Sequence, residues 1–135
     1  MGKVFVDTSG WVALFVENDE NHLKATIIFE KMKHLKMHIY TSDYVIDETI
    51  TTILSRGNHS MSIFAGEVLF TSSLINRVFV VPHYFQPTWE FYKKWKDKTF
   101  SFTDVSCFLI MKELNIQKAF SFDREFTQAG IELIE

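Results

Sequence analysis

Four acidic residues, Asp7, Glu48, Asp104 and Asp123, stand where carboxylates from separate elements could meet. Asp7 directly follows the apolar run Val4, Phe5, Val6, and Asp123 directly follows the run 119–122. Asp104 opens a long helical stretch, and Glu48 lies three residues beyond Val45, one turn inside another helix. Such a cluster has a definite chemistry. Two carboxylates about 5 Å apart repel by roughly 3 kcal/mol at an effective dielectric of 20, so a group of them must take up protons or bind cations. All-oxygen ligands favour Mg²⁺ or Mn²⁺ over zinc. A bound ion of that kind lowers the pKa of its water and stabilises charge on a phosphoryl group. Taken singly, each acid also has a plain structural reading. Asp7 and Asp104 read as helix N-terminal caps, Asp123 as a turn residue, and Glu48 as a solvated helix acid.

The elements that must position these acids follow from hydrophobic period and punctuation. Strands are expected at 4–6, 38–40, 78–81, 119–122 and 131–134. Helices are expected from Thr8 or Ser9, as cap, to about 16, then over 22–36, 43–55, 60–75, 88–97, 103–115 and 124–128. Arg56-Gly57 reads as the usual glycine closure of the third helix. Strands alternating with helices define an α/β three-layer sandwich with a mostly parallel central sheet of about five strands. In open sheets of that kind, sites form beyond the carboxyl ends of the strands, where Asp7 and Asp123 fall.

The 135 residues fit one domain, and 14 Phe with only 5 Gly and 2 Pro argue for a packed core rather than a disordered chain. Cys107 is the only cysteine, which excludes an internal disulfide and suits a reducing cytosol. No segment approaches the roughly 20 apolar residues of a membrane span. Asp7 interrupts the apolar start too early for a signal peptide. A cytoplasmic protein with no membrane partner is the expectation.

The segments VFVDTSGW (4–11), TSDYVIDET (41–49), SFTD (101–104) and FSFDREF (120–126) resemble, in order, the four signature segments of the PIN-domain family. His22 and Ala25 match a further common feature, and together these segments span nearly the whole chain. The likeness is to single-domain prokaryotic members, including the toxin ribonucleases of toxin–antitoxin pairs. By that resemblance the chain is a single PIN-like domain over 1–135, and Asp7, Glu48, Asp104 and Asp123 take the acidic, metal-holding positions. Ser9, Thr103 and Ser121 take supporting positions, with Ser121 standing where Thr is frequent. Asp43 and Asp47 crowd the second motif and leave open which acid reaches the ion. The implied activity is endoribonuclease action, with a carboxylate-held Mg²⁺ or Mn²⁺ activating water against an RNA phosphodiester. The implied partners are RNA and a small antitoxin protein. The alternative is a catalytically weak PIN-like module that binds RNA or protein.

Other features bear on that choice. A net charge of −3 is awkward for a nucleic-acid enzyme, although Lys31, Lys33 and Lys36 cluster in one segment and Lys93, Lys94, Lys96 and Lys98 in another. Trp89, Tyr92 and Trp95 recur at helical spacing beside the second lysine group; the bland reading is core, the other an RNA-contacting patch. His34 and His38 lack the glutamate of a zinc-protease motif. Cys107 reads as a buried small hydrophobe. The helix at 60–75 is apolar on more than one face, which implies either deep burial or a homodimer or partner surface. A haloacid-dehalogenase-like fold would want a second Asp where Ser9 stands, and a receiver fold an acidic residue where Val6 stands.

Overall fold

A computed structural model describes residues 2–135. Five parallel strands form the sheet: β1 (Lys3–Val6), β2 (His38–Ser42), β3 (Ile75–Val78), β4 (Lys118–Phe120) and β5 (Glu132–Leu133). Their order is β3-β2-β1-β4-β5. Val4, Phe5 and Val6 of the central strand are wholly buried, as a parallel strand covered on both faces requires. The chain builds outward from β1 through β2 to β3, then returns to β4 on the other side of β1. The β1–β4 junction, where Phe5 pairs with Ala119, is therefore the point at which strand order reverses.

Seven helices cover the sheet: α1 (Thr8–Phe15), α2 (His22–His34), α3 (Asp43–Arg56), α4 (His59–Thr71), α5 (Phe85–Lys94), α6 (Phe102–Glu113) and α7 (Arg124–Gln128). α1 packs on α2 and α3, and α3 on α4; α5 packs on α6, and α6 on α7. Right-handed crossovers running in opposite directions from β1 place these two groups on opposite faces. The three-layer parallel sandwich expected from the sequence is what forms.

Several boundaries differ from the sequence expectation, each for a local reason. Asp7, not Thr8 or Ser9, caps α1, accepting from the Gly10 N–H. The helix α2 stops at His34 because Lys36 turns left-handed (φ 54°) and Met37 N–H bonds back to the Met32 carbonyl. Gly57 follows α3 with φ −117°, so it is not a left-handed closure. A Cβ there would come within 2.8 Å of Met61 Sδ, so this glycine permits the close turn from α3 into α4. The third strand lies at Ile75–Val78, not 78–81, because α4 already ends at Thr71. Val80 instead anchors the following turn, its side chain buried and its N–H donating to Asp43 Oδ1. α5 starts at Phe85, three residues before the expected 88, since Pro87 lies in the first turn, where its missing N–H costs nothing. β4 ends at Phe120, before Ser121 and Phe122, whose polar groups turn to the site.

Two features fix the start of α1. Trp11, 1% exposed, donates its indole N–H to Thr41 Oγ1, which donates to the Val6 carbonyl. Gly10 lies so close to β4 that an added Cβ would stand 2.6 Å from the Phe120 carbonyl oxygen. Both contacts hold α1 against the switch point that Asp7 occupies.

Candidate active site

Asp7 leaves β1 at the switch point and is buried, yet both carboxylate oxygens accept hydrogen bonds. Oδ1 accepts from Ser9 Oγ (2.8 Å) and the Gly10 N–H (3.2 Å), and Oδ2 accepts from Ser121 Oγ (2.9 Å). The two hydroxyls are 3.2 Å apart, and each accepts a backbone N–H from the loop after β4: Phe122 to Ser9 and Asp123 to Ser121. Ser9 and Ser121 thus stitch the end of β1 to the end of β4 and fix the Asp7 carboxylate between them. Burial, opposed by these hydrogen bonds, pushes Asp7 up to about 6.

The other acids gather around it. Asp104 occupies the first turn of α6 in a capping box: its carboxylate accepts from the Ser101 N–H, and its own N–H donates to Ser101 Oγ. Burial raises Asp104 above the ordinary carboxylate value despite the box, with the charges of Glu125 and Glu48 adding to the shift. Glu48 projects from α3 and accepts from Thr8 Oγ1. Asp123 stands at the N-cap position of α7, where its side chain makes no capping bond, and is pushed up to about 7 by burial, then by the hydrogen bond and charge of Glu125. Buried Cys107 lies well above the usual thiol value through burial, then through the charges of Asp7, Asp104 and Glu48. The charges of three carboxylates from three elements therefore bear on one thiol on α6. This excludes Cys107 as a nucleophile, since only the thiolate attacks.

The structure also separates the acids that the sequence left unresolved. Asp43 Oδ1 is committed to the Tyr44 and Val80 N–H groups. Asp47 is exposed beside Glu48 on α3, and of the two it is Glu48 that Thr8 Oγ1 bonds and whose charge raises Asp104. Thr103 turns its carbonyl to Ser106 Oγ at 2.6 Å. Glu125 went unremarked in the sequence, although it stands two residues past Asp123, in the first turn of α7. Its hydrogen bond to Asp123 draws Glu125 below the usual value while Asp123 is raised, so the two carboxyls titrate as a pair.

An open cleft of about 340 Å³ borders the acids, lined by Thr8, Ser9, Asn21, Glu48, Arg56 and Asp123. The larger cavity, about 510 Å³, is lined largely by apolar residues such as Phe91, Leu109 and Ile131, and none of the four acids lines it. Among the described residues no three acids, histidines or cysteines stand close enough to enclose an ion unaided. Mg²⁺ makes no such demand, since it keeps several waters and binds through one or two carboxylates plus substrate phosphates. The all-oxygen donors and the three raised acids fit a hard divalent cation, which would offset the negative charge that burial there disfavours.

This arrangement is that of a known class. The PIN domain profile matches residues 4–132, and the chain belongs to the PIN-domain family. It is similar to the 23S rRNA-specific endonuclease VapC20 of Mycobacterium tuberculosis, in strains CDC 1551 / Oshkosh and ATCC 25618 / H37Rv. Each is 30% identical over 127 residues, covering 94% of either chain. The fold is similar to the crystal structure of M. tuberculosis VapC20, described as a sarcin-ricin loop cleaving toxin. That match has a TM-score of 0.84 and 28% identity, covering 95% of both chains. These relatives are endonucleases by name, so the nuclease class expected from the sequence holds at the level of the family.

Proposed function

We propose that this chain is an endoribonuclease whose carboxylates Asp7, Glu48, Asp104 and Asp123 hold Mg²⁺ or Mn²⁺ at the switch point. The observation that carries the reading is the convergence of acids from β1, α3, α6 and the β4–α7 loop, three of them held above their ordinary pKa. When bound, the cation lowers the pKa of a coordinated water and offsets charge on the phosphate under attack. Ser9 and Ser121 orient Asp7; Thr8 orients Glu48; the Ser101 box orients Asp104. Glu125 hydrogen-bonds Asp123 and raises its pKa, and a cation bound there would offset the charge that Asp123 bears when ionised.

The relatives' names supply the substrate class: a structured loop of ribosomal RNA. The solved relative's description as a toxin supports a toxin role here, and a small antitoxin partner and a cytoplasmic setting belong to the same proposal. Among the described residues no helix is long and apolar enough to cross a membrane. Cleavage of RNA in Mg²⁺ or Mn²⁺, with end analysis, tests the reading. The expected products carry a 5′-phosphate, because an activated water does not need the RNA 2′-hydroxyl as nucleophile. Products ending in 2′,3′-cyclic phosphate, or full activity in EDTA, would replace this mechanism, and RNA binding without any cleavage would favour the binding-module reading.

A homodimer or partner-bound state built partly on α4 belongs to the same proposal. Only Ser62, Ala65, Gly66 and Leu69 of that helix are buried, whereas Phe64 and Phe70 are 65% and 60% exposed. Phe64→Lys should give a folded protein of lower assembly mass in light scattering. A wild type already monomeric, or a variant of unchanged mass, would remove the homodimer.

A further inference from the structure

The helix α5 carries two apolar stripes where a surface helix needs one. Thr88, Phe91 and Trp95 face inward, with Trp95 packed against Phe100 and Phe108. The second stripe, Phe85, Trp89 and Tyr92, follows i, i+4, i+7 spacing and faces water, with 44%, 44% and 41% of these residues exposed. Exposure of Trp89 and Tyr92 departs from the bland reading of the sequence, in which such a stripe is core. The Trp89 and Tyr92 rings are stacked and nearly parallel, 17° apart with centroids at 6.0 Å, and the two half-exposed rings form one aromatic tile.

The tile is continuous with the acidic site. Phe102, two residues before Asp104, lies 5.5 Å from Phe85 and 6.0 Å from Tyr92 between ring centroids. Lysines border it. Lys93 and Lys94 occupy the last turn of α5, where they also complement the helix dipole. Lys96 and Lys98 lie beyond the helix, so that explanation does not reach them, and both are exposed. Against these four cations the segment 85–100 sets two acids, Glu90 and Asp97, giving it a charge of +2 in a chain of net −3. Lys93 pairs with Glu90 at 3.3 Å and stands 5.7 Å from the Trp89 ring centroid, on a side chain free to swing to a phosphate.

We propose that the Phe85–Trp89–Tyr92 face of α5 is a stacking platform for unpaired nucleotides of the RNA, with Lys96 and Lys98 contacting its phosphates. The inference rests on the ribonuclease reading and adds to it how substrate is gripped. Every base offers a π-face to an aromatic ring, and the backbone charge is met by the lysines. A paired helix keeps its bases stacked internally and gains nothing from the tile. The platform therefore selects loops and single strands over duplex, and it places the acid-poor grip of the molecule beside its acidic site.

The test measures binding of a short fluorescein-labelled single-stranded RNA, and of its duplex, by anisotropy in EDTA, alongside cleavage in Mn²⁺. Trp89→Ala and Tyr92→Ala should each weaken single-strand binding about tenfold, and together about a hundredfold, with duplex binding unmoved. Trp89→Phe should restore most of the loss. Lys96→Gln with Lys98→Gln should reduce the slope of log affinity against log salt by about 1.4. Folded alanine variants that bind single strands like wild type overturn the platform, as does a wild type that prefers duplex. If the alanine variants do not fold, the lysine pair decides, and an unchanged salt slope overturns the proposal. A wild type that shows this binding pattern but cleaves nothing leaves the platform standing and sinks the nuclease reading instead.

Discussion

Asp7→Asn should reduce RNA cleavage by roughly a hundredfold to a thousandfold or more, while leaving the metal-free fold at least as stable as wild type. The loss follows from charge, since a neutral amide holds a divalent cation weakly. Stability follows from burial. The Asp7 carboxyl is raised from 3.8 to about 6, so its ionised form costs the folded protein up to about 3 kcal/mol at pH 7.5, and the amide is spared that cost. The hydrogen bonds can be rearranged without loss. The amide oxygen keeps the Ser9 and Gly10 donors, the amide N–H₂ donates to Ser121 Oγ, and the freed Ser121 hydroxyl turns to Ser9 Oγ, 3.2 Å away. Asn also caps a helix about as well as Asp. Melting temperature and cleavage rate on the same preparation check the pair of outcomes; normal cleavage would reduce Asp7 to a cap.

The metal-free protein should become less stable as the pH rises from 5 to 7.5, the reverse of a protein held by ionised carboxylates. A carboxyl raised in the folded state contributes stability that is fully present below its unfolded pKa and is lost as pH rises through the folded one. For Asp7 that window runs from 3.8 to about 6, and for Asp123 from 3.8 to about 7. Between pH 5 and 7.5 the buried Asp7 alone accounts for a loss of about 1.4 kcal/mol, the rest of its window lying below pH 5, or roughly 5 °C in melting temperature for a chain of this size. The partly exposed Asp123 adds to the direction. Saturating Mn²⁺ should abolish the decline, because a cation then holds the charge that protons held. Melting curves in EDTA and in Mn²⁺ across this range measure both; a metal-free stability that rises with pH would show that these acids are not held above their ordinary values.

Much of this was legible in the sequence because the signals were local. Val4–Val6 with Asp7, and the Ser101 to Asp104 capping pair, are short strings whose physics is complete within a few residues. The parallel sheet followed from alternation of element types, and the switch point from Asp7 and Asp123 both ending strands. What the sequence hid depended on distant partners. The apolar run 78–81 imitates a strand, yet Val80 answers Asp43, 37 residues away. Gly57 looks like a helix closure, and only the approach of Met61 shows its use. Glu125 looks like an ordinary acid in the first turn of a helix until Asp123 turns toward it. The Trp89 and Tyr92 stripe has the period of a core face, and its exposure depends on α6 taking the opposite face of α5. Thr49 Oγ1, buried without a hydrogen-bond partner next to Glu48, has no structural explanation.

Calorimetric titration of Mn²⁺ into the metal-free protein at pH 6.5, in two buffers of different ionisation enthalpy, tests most directly whether these carboxylates form a cation site. With Asp7 near 6 and Asp123 near 7, the two together carry about one proton at that pH, and a cation must displace it. Binding should therefore release about one proton per site, tighten as pH rises, and weaken sharply in Asp7→Asn. Mn²⁺ that binds with no proton release and equally well to the Asp7→Asn protein, or that does not bind at all, would contradict the account.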